Sequence, residues 1–199
     1  MLNSLQEIKQ ALHSLMNGPI SQSLRSKGLK YRVIYGVEVL RLQELAAEIP
    51  HEYATALALW HEDIRECRLL ATMTMPKDQF SETEADVWAS ELRYSEEAHY
   101  FIMHLICGCN YASEKAFQWI AHDSEMLQLC GLLLANRLLV NGSQFSSRDE
   151  SELINQATSL LESPRLEVRK SALNTLLRLR EASLLCQRQV DSILKRRGL

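Results

Sequence analysis

The chain has few of the residues that reverse a backbone, with only seven glycines and four prolines among 199 residues. A sheet protein needs a turn every ~8–12 residues, so this scarcity excludes an all-β fold and favours long helices joined by short turns. Long hydrophobic runs are also missing, because no stretch approaches the ~18 apolar residues of a membrane span. The first segment, "MLNSLQEIKQALHSLMNG", interrupts its apolar residues with Glu7 and Lys9, which is untypical of a signal peptide.

The sequence also lacks the usual signatures of metal, redox and nucleotide chemistry. Its five cysteines are an odd number without a C-x-x-C pair, and its six histidines form no H-E-x-x-H motif. It has no glycine-rich phosphate loop and no G-x-S-x-G motif. We therefore expect reduced core thiols in a cytoplasmic protein that uses neither a metal ion nor a cofactor.

Charge is distributed unevenly along the chain. The net charge is −3, yet residues 162–199 contain nine Lys or Arg against four Asp or Glu. A basic segment of this kind indicates either a surface that binds a polyanion or an ordinary solvated helix face. The total of 199 residues, 46% of them hydrophobic, is enough for one core, and we expect a single α-helical repeat domain over 1–199.

Apolar periodicity predicts helices over almost the whole chain. A first stripe of Leu5, Ile8 and Leu12 follows a potential cap, Asn3, and Gly18-Pro19 is predicted to end this helix. The basic segment 25–32 is interpreted as a loop around a glycine. A second helical stripe runs over 39–49, and further helices are predicted at about 51–60, 63–74, 82–92, 95–107, 111–121, 124–140, 149–162, 164–180 and 182–196.

Three of the predicted helices start in the same way. Each begins with an acidic or hydroxyl residue that can cap it, and Asp63 and Ser163 are the predicted caps of two of these helices. Each then presents an early apolar residue, which is Ile64, Leu127 or Val168. Spacings of about 30 to 41 residues are typical of paired-helix repeats. The sequence thus predicts an all-α, HEAT-like or armadillo-like repeat solenoid, an α-α superhelix of about six helix pairs, whose concave face is lined by the second helix of each pair.

Two segments of the first half carry a more specific pattern. Residues 36–49, "GVEVLRLQELAAEI", fit G-V-x-x-x-x-L-x-x-L-A, and residues 54–75, "ATALALWHEDIRECRLLATMTM", fit L-W-x-x-x-x-x-E-x-R-x-L-A. In these patterns, and over roughly 36–180 in helix order, the chain resembles the HEAT-like DNA alkylation repair proteins. The resemblance implies a helical solenoid that holds duplex DNA against a basic concave surface.

The same resemblance implies a chemistry. Active members of that family excise cationic alkylated purines such as 3-methyladenine and 7-methylguanine, with an Asp and aromatic residues placed against the backbone and sugar of the lesion. A cationic base is already a good leaving group, and a carboxylate beside the sugar stabilises the developing oxocarbenium ion.

The family's Trp-x-x-x-Asp element falls in residues 91–105, "ELRYSEEAHYFIMHL", which contain neither residue. The nearest carboxylates are Glu96 and Glu97 and the nearest aromatic is Tyr94, so these three are the catalytic candidates. A Glu in place of Asp moves the charge by about an ångström or more, and Leu132 stands where the family has a second Trp. These departures weigh against base excision.

Basic residues supply the candidate DNA contacts. Lys170 and Arg178 are eight residues apart, with Asn174 between them, so they share one helix face. That face is either a ligand surface or a solvated one. The full set of candidate DNA-binding cations is Arg25, Lys27, Lys30, Arg32, Arg137, Lys170 and Arg178.

Other conspicuous residues are interpreted as structural. Trp60, Trp88 and Trp119 lie in amphipathic segments and are expected to pack in the core. Arg65 and Arg68 are expected to form ion pairs with neighbouring glutamates. The leading hypothesis is a protein that binds double-stranded DNA, alkylated or not, and is related to the alkylation repair glycosylases. The alternative is a non-catalytic scaffold that grips a protein partner in its concave face.

Overall fold

A computed structural model describes residue 2 and residues 4–198 of the chain. Its backbone contacts divide the chain into two compact units, one ending at Ser81 and one starting at Glu82. Each unit is described by itself, and the single repeat domain expected from the sequence stays a prediction. The predicted cap Asn3 lies outside the described residues.

The described residues form twelve α-helices and no strand, with one isolated bridge between Val33 and Ile64. This confirms the predicted all-α fold class. The helices of the first unit are α1 (Leu5–Ser14), α2 (Gly18–Ser26), α3 (Val39–Glu48), α4 (Tyr53–Trp60) and α5 (Arg65–Thr74). Those of the second are α6 (Glu82–Ser90), α7 (Ser95–Tyr100), α8 (Ala112–Ile120), α9 (Glu125–Val140), α10 (Ser147–Leu160), α11 (Leu166–Arg180) and α12 (Leu184–Arg197).

The start of α2 corrects one prediction. Gly18-Pro19 does not end α1, which already ends at Ser14, but starts α2. The side chain of Asn17 accepts a hydrogen bond from the Ile20 N–H at 3.2 Å, and Pro19 occupies the first turn of α2. Proline suits that turn since the first N–H groups of a helix have no partner within it. Arg25 therefore lies in a helix, and the predicted loop begins only after Ser26.

The first unit is organised by a buried carboxylate. Glu66, which is 0% exposed, accepts hydrogen bonds from the Tyr35 N–H at 3.0 Å, the Gly36 N–H at 2.9 Å and the Arg65 guanidinium at 2.9 Å. The predicted capping box of α5 is thus wrong, because Ile64 is its N-cap and Asp63 accepts instead from the Arg32 N–H. Both carboxylates accept backbone N–H groups of the chain some 30 residues earlier rather than those of their own helix.

Gly36 explains why the segment that binds Glu66 can lie so close to the start of α2. Its φ is +76°, and a Cβ on it would lie 2.3 Å from the Asn17 carbonyl oxygen and 2.6 Å from the Ser21 nitrogen. Only glycine tolerates both the left-handed backbone and the contact. The segment is fixed further by hydrogen bonds from the Asn17 N–H to the Tyr35 carbonyl and from the Ser21 hydroxyl to the Ile34 carbonyl.

Trp60 of α4 is a core residue, as predicted, and Arg65 and Arg68 of α5 are buried as well. Arg65 forms a buried ion pair with Glu66. The Arg68 guanidinium stacks 3.8 Å from the ring centroid of Trp60 and donates to the Trp60 carbonyl. Trp60 is 1% exposed, so it packs in the core and offers no surface to a base.

The second unit is built in two layers of helices. α8 packs on α9 and α10 packs on α11, and the short loop within each pair makes its helices antiparallel neighbours. α12 packs on both α10 and α11. One layer contains α8, α10 and α12, and the other contains α7, α9 and α11, with α9 in contact with both α7 and α11. This is the paired-helix repeat that the sequence predicted.

One glycine sets the closest helix contact of this unit. Gly131 lies in the middle of α9, and a Cβ there would meet the Ile120 nitrogen at 2.5 Å and the Ala116 carbonyl oxygen at 2.7 Å. Both obstructing atoms belong to the backbone of α8, so they cannot turn aside as a side chain can. The position of α9 against α8 therefore depends on the missing methyl group.

The start of α11 corrects a second cap prediction. The helix begins at Leu166 with Arg165 as its N-cap, so Ser163 and Pro164 lie before it. The Arg169 guanidinium donates to the carbonyls of Ser163 at 2.6 Å and Pro164 at 2.9 Å. A cation in the first turn is unfavourable for the helix dipole, but here it ties down the preceding loop.

The five cysteines are free thiols, and four of them are buried. Burial raises the pKa of both the Cys67 and the Cys130 thiol to about 12, so both stay protonated at neutral pH. Among the described residues no group of three or more His, Cys, Asp or Glu side chains could bind a metal ion. None of the described helices combines the length and the apolar character needed to cross a membrane.

Replacing Glu66 with Ala should lower the free energy of unfolding by about 3–5 kcal/mol, because the buried Arg65 guanidinium loses its counter-charge. Urea denaturation followed by circular dichroism measures this. Arg41→Ala is the matched control, since its pair with Glu44 is exposed and should contribute about 1 kcal/mol or less. A loss below about 1 kcal/mol for Glu66→Ala would contradict the central role of this carboxylate.

Gly131→Ala should destabilise the protein by about 1–3 kcal/mol, although alanine is the better helix former by about 1 kcal/mol. The added methyl group forces α8 and α9 apart. Gly18→Ala is the control because a Cβ at Gly18 meets nothing within 4 Å. Thermal unfolding distinguishes the two, and equal or higher stability of Gly131→Ala would show that the helices are not in close contact.

Candidate nucleic-acid interface

A groove runs along one layer of the second unit and has a volume of about 710 Å³. It is lined by residues of α9, α11 and the segment that begins with α7, which are the second helices of successive pairs. We call it the inner groove, and its lining residues are His99, Tyr100, Ile102, Met103, Leu133, Asn136, Arg137, Val140, Ser171, Asn174, Leu177, Arg178 and Glu181. It occupies the surface that the repeat pattern assigned to ligand binding.

The first wall of the inner groove is an irregular helix. α7 continues into a π-helical segment over Phe101–Leu105 and then a short 3-10 turn over Ile106–Gly108. Phe101 anchors the wide turn, because its ring lies 6.4 Å from Trp88 and 6.1 Å from Trp119, both of which are buried. Such segments are rare and are frequent at functional sites. Here the π-helix contributes Ile102 and Met103 to the lining.

Two arginines give the inner groove its positive charge. Arg137 is exposed on α9, and no described carboxylate lies within 4.0 Å of its guanidinium. Arg178 is 54% exposed on α11, and its pair with Glu181 is long, at 3.8 Å. A weak surface pair of this kind contributes little stability, so the Arg178 guanidinium can exchange its partner for a stronger anion. Glu181 is the only acid among the described lining residues.

A polar contact fixes the two helices that present these arginines. The Asn136 amide on α9 donates to the Thr175 hydroxyl at 2.9 Å, and Thr175 donates in turn to the Ser171 carbonyl at 2.9 Å on α11. Asn136 is adjacent to Arg137, so the contact sets the register between the two sides of the groove. The amide oxygen of Asn136 is buried without a hydrogen-bond partner among the described residues.

The other predicted cations lie outside the inner groove. Lys170 is exposed on α11, on the same face as Arg178 but not among the lining residues. The remaining four are exposed in the first unit. There the Arg25 guanidinium donates to the Tyr31 carbonyl at 3.2 Å, and Arg32 is 70% exposed and lies 3.9 Å from Glu62. Lys27 and Lys30 lie between them in the sequence, so we call residues 25–32 with these four cations the basic cluster of the first unit.

The three catalytic candidates do not line the inner groove. Tyr94 is the N-cap residue of α7 and, like Glu96, is half-buried. Glu97 is 1% exposed, and its carboxylate accepts a hydrogen bond from the Arg93 N–H at 2.7 Å. That carboxylate therefore closes the first turn of α7 in the manner of a capping residue.

Sequence reasoning missed the apolar part of the inner groove. Met103, Val140 and Leu177 are 37%, 53% and 40% exposed, which is high for large hydrophobic side chains. A signal was present in the spacing, since Leu133 and Val140 repeat at helical intervals on the face of α9 that also carries Arg137. Periodicity does not distinguish this second stripe from the core stripe, because α9 is apolar on nearly every side.

Comparisons with known proteins agree with this architecture. The sequence model described as "DNA alkylation repair enzyme" matches residues 8–183. A solved structure with a TM-score of 0.85 and 18% sequence identity covers 96% of this chain and 82% of its own. It is described as a new family of proteins related to the HEAT-like repeat DNA glycosylases with affinity for branched DNA structures. No curated protein sequence matches the chain.

Glu97→Ala should cost about 1–3 kcal/mol of folding stability, because the Arg93 N–H loses the charged acceptor of a part-buried hydrogen bond. Chemical denaturation measures the loss. Glu114→Ala is the matched control, since this exposed glutamate bonds only to Gln118 in the described residues and should stay within about 0.5 kcal/mol. Unchanged stability of Glu97→Ala would show that folding does not need this carboxylate, which would then be available for another role.

Proposed function

Because the chain belongs to the DNA alkylation repair enzyme family, we propose that it binds double-stranded DNA, alkylated or not, in the inner groove and does not excise bases. We extend to this chain the affinity for branched DNA that describes its structural neighbour. The observation that carries the proposal is the pair Arg137 and Arg178, which face one groove from two fixed helices.

The lining suits a DNA backbone for three reasons. Arginine binds phosphate through a planar fork of donors, and each neutralised phosphate releases counterions. Asn174, His99 and Ser171 offer further hydrogen bonds of the kind that position a duplex without reading its sequence. The apolar side chains between them can pack against the sugar faces. Lys170 and the basic cluster of Arg25, Lys27, Lys30 and Arg32 are proposed as additional phosphate contacts.

The geometry offers little support for excision. A glycosylase carboxylate must lie beside the sugar of the lesion to stabilise the oxocarbenium ion. Glu97 is buried and bonded to the backbone, and neither Glu97 nor Glu96 lines the inner groove. Neither is placed as an unengaged carboxylate at the surface that would meet DNA.

A protein partner is the second candidate, favoured by the exposed Met103, Val140 and Leu177 in the same inner groove. Apolar residues rimmed by polar ones are typical of surfaces that receive another protein. In that case the arginines would set orientation and the apolar side chains would supply the binding energy.

Fluorescence anisotropy with a short duplex at several salt concentrations tests the proposal. We expect binding that weakens with salt, and in the double variant Arg137→Gln, Arg178→Gln the slope of log K against log salt should fall by about 2. The control Arg41→Gln, Lys77→Gln removes the same charge from exposed positions that line no part of the inner groove.

Absence of duplex binding by the wild type at low salt would overturn DNA binding and leave the protein-scaffold function. If the salt slope of the control variant falls by the same amount, total charge and not the inner groove governs binding. Release of 3-methyladenine or 7-methylguanine from alkylated DNA would show that the non-catalytic part of the proposal is wrong.

A further inference from the structure

The arginines and lysines of the last 38 residues differ in whether an acidic side chain pairs with them. Each of the four acids in 162–199 pairs with one arginine, and the pairs are Glu162–Arg197 at 2.7 Å, Glu167–Arg165 at 3.5 Å, Glu181–Arg178 at 3.8 Å and Asp191–Arg180 at 2.6 Å. Arg169 bonds to backbone carbonyls. Among the described residues, no ion pair involves the remaining cations, which are Lys170, Arg188, Lys195 and Arg196. Three of these four lie on α12.

Two of the three α12 cations lie in a second depression, the outer cleft, between α10 and α12. Its volume is about 410 Å³. Arg188 and Arg196 line it from α12, and they are accompanied by the side chains of Ser151, Asn155, Gln189 and Ser192. No acidic side chain is among the described lining residues. The outer cleft therefore combines two unpaired guanidinium groups with hydroxyl and amide donors.

The spacing of these groups fits a nucleic-acid backbone. Arg188 and Arg196 are eight residues apart on one face of α12, which corresponds to about 12 Å along a helix. The axial rise of DNA is about 3.4 Å per base pair, so a span of about 12 Å laid parallel to the duplex axis covers three to four base pairs. Hydroxyl and amide side chains between them are typical partners of phosphate oxygens.

The outer cleft and the inner groove are lined by different helices and have no residue in common. The outer cleft is lined by α10 and α12, and α11 packs against both of these helices. α11 also lines the inner groove with Asn174 and Arg178. The outer cleft thus belongs to the layer of α8, α10 and α12 and the inner groove to the layer of α7, α9 and α11, so we expect a straight duplex in the inner groove to leave Arg188 and Arg196 unoccupied.

We propose that the outer cleft binds the phosphate backbone of a second duplex arm, so that a branched DNA is held by both faces of the second unit. This inference rests on the proposed function, because it assumes that a first arm occupies the inner groove. It assigns the preference for branched over linear DNA to Arg188 and Arg196. Linear duplex affinity, in contrast, depends on Arg137 and Arg178.

The test compares a three-way junction with a linear duplex of the same number of base pairs, each measured by anisotropy over a salt series. The variants are Arg188→Gln, Arg196→Gln in the outer cleft, Arg137→Gln, Arg178→Gln in the inner groove, and the control Arg41→Gln, Lys77→Gln. Circular dichroism verifies that each variant is folded. Glutamine retains much of the arginine stem, so the change is mainly in charge.

The outer-cleft variant should bind the linear duplex as the wild type does and lose its preference for the junction. Its salt slope for the junction should fall by about 2, one for each phosphate contact removed. If the variant retains both the junction preference and the slope, the second-arm site is wrong, and so it is if the wild type binds both DNAs equally.

The outcomes separate this inference from the function on which it rests. A wild type that binds neither DNA overturns the proposed function as well. A wild type that binds the linear duplex through Arg137 and Arg178, with a junction preference insensitive to Arg188 and Arg196, overturns only the second-arm site.

Discussion

The close contact between α8 and α9 is the constraint on which the second unit depends. It exists because Gly131 has no side chain, so the backbone of α8 can lie directly against α9. Once α9 is placed, Asn136 meets Thr175 of α11, and Arg137 and Arg178 are brought to the same groove. A helix-forming residue at position 131 would improve the local preference of α9 and displace the whole arrangement. Packing therefore overrides helix propensity at this point.

Much of the fold could be predicted from local pattern. Most helices end within a few residues of their predicted bounds, because their apolar stripes and capping residues are local properties of the sequence. The prediction failed where a residue serves a distant segment. Asp63 and Glu66 have the sequence of a capping box, but their carboxylates accept backbone N–H groups of residues 32–36. No periodicity analysis finds a partner 30 residues away.

The candidate site was predictable only in part, for a related reason. The shared face of Lys170, Asn174 and Arg178 follows from helix geometry, and two of these three line the inner groove. The apolar lining could not be distinguished from core, since α9 carries leucines on both its buried and its open side. Glu97 looked available as a carboxylate, yet its burial depends on the tertiary structure, and its carboxylate is already engaged by the Arg93 N–H. Charge and periodicity locate a surface, whereas burial decides which of its residues can meet a ligand.

The polar composition of α5 does not reveal that this helix is buried. Its sequence, "RECRLLATMT", contains five charged or hydroxyl side chains, which is typical of a surface helix, but nine of its ten residues are buried. Its polar groups are satisfied by neighbouring backbone and by Trp60. A homologue search or a mutational library that treats polar positions as freely variable would therefore err most here. In evolution this stretch should drift slowly in spite of its hydrophilic appearance, because each exchange must preserve a bond as well as a volume.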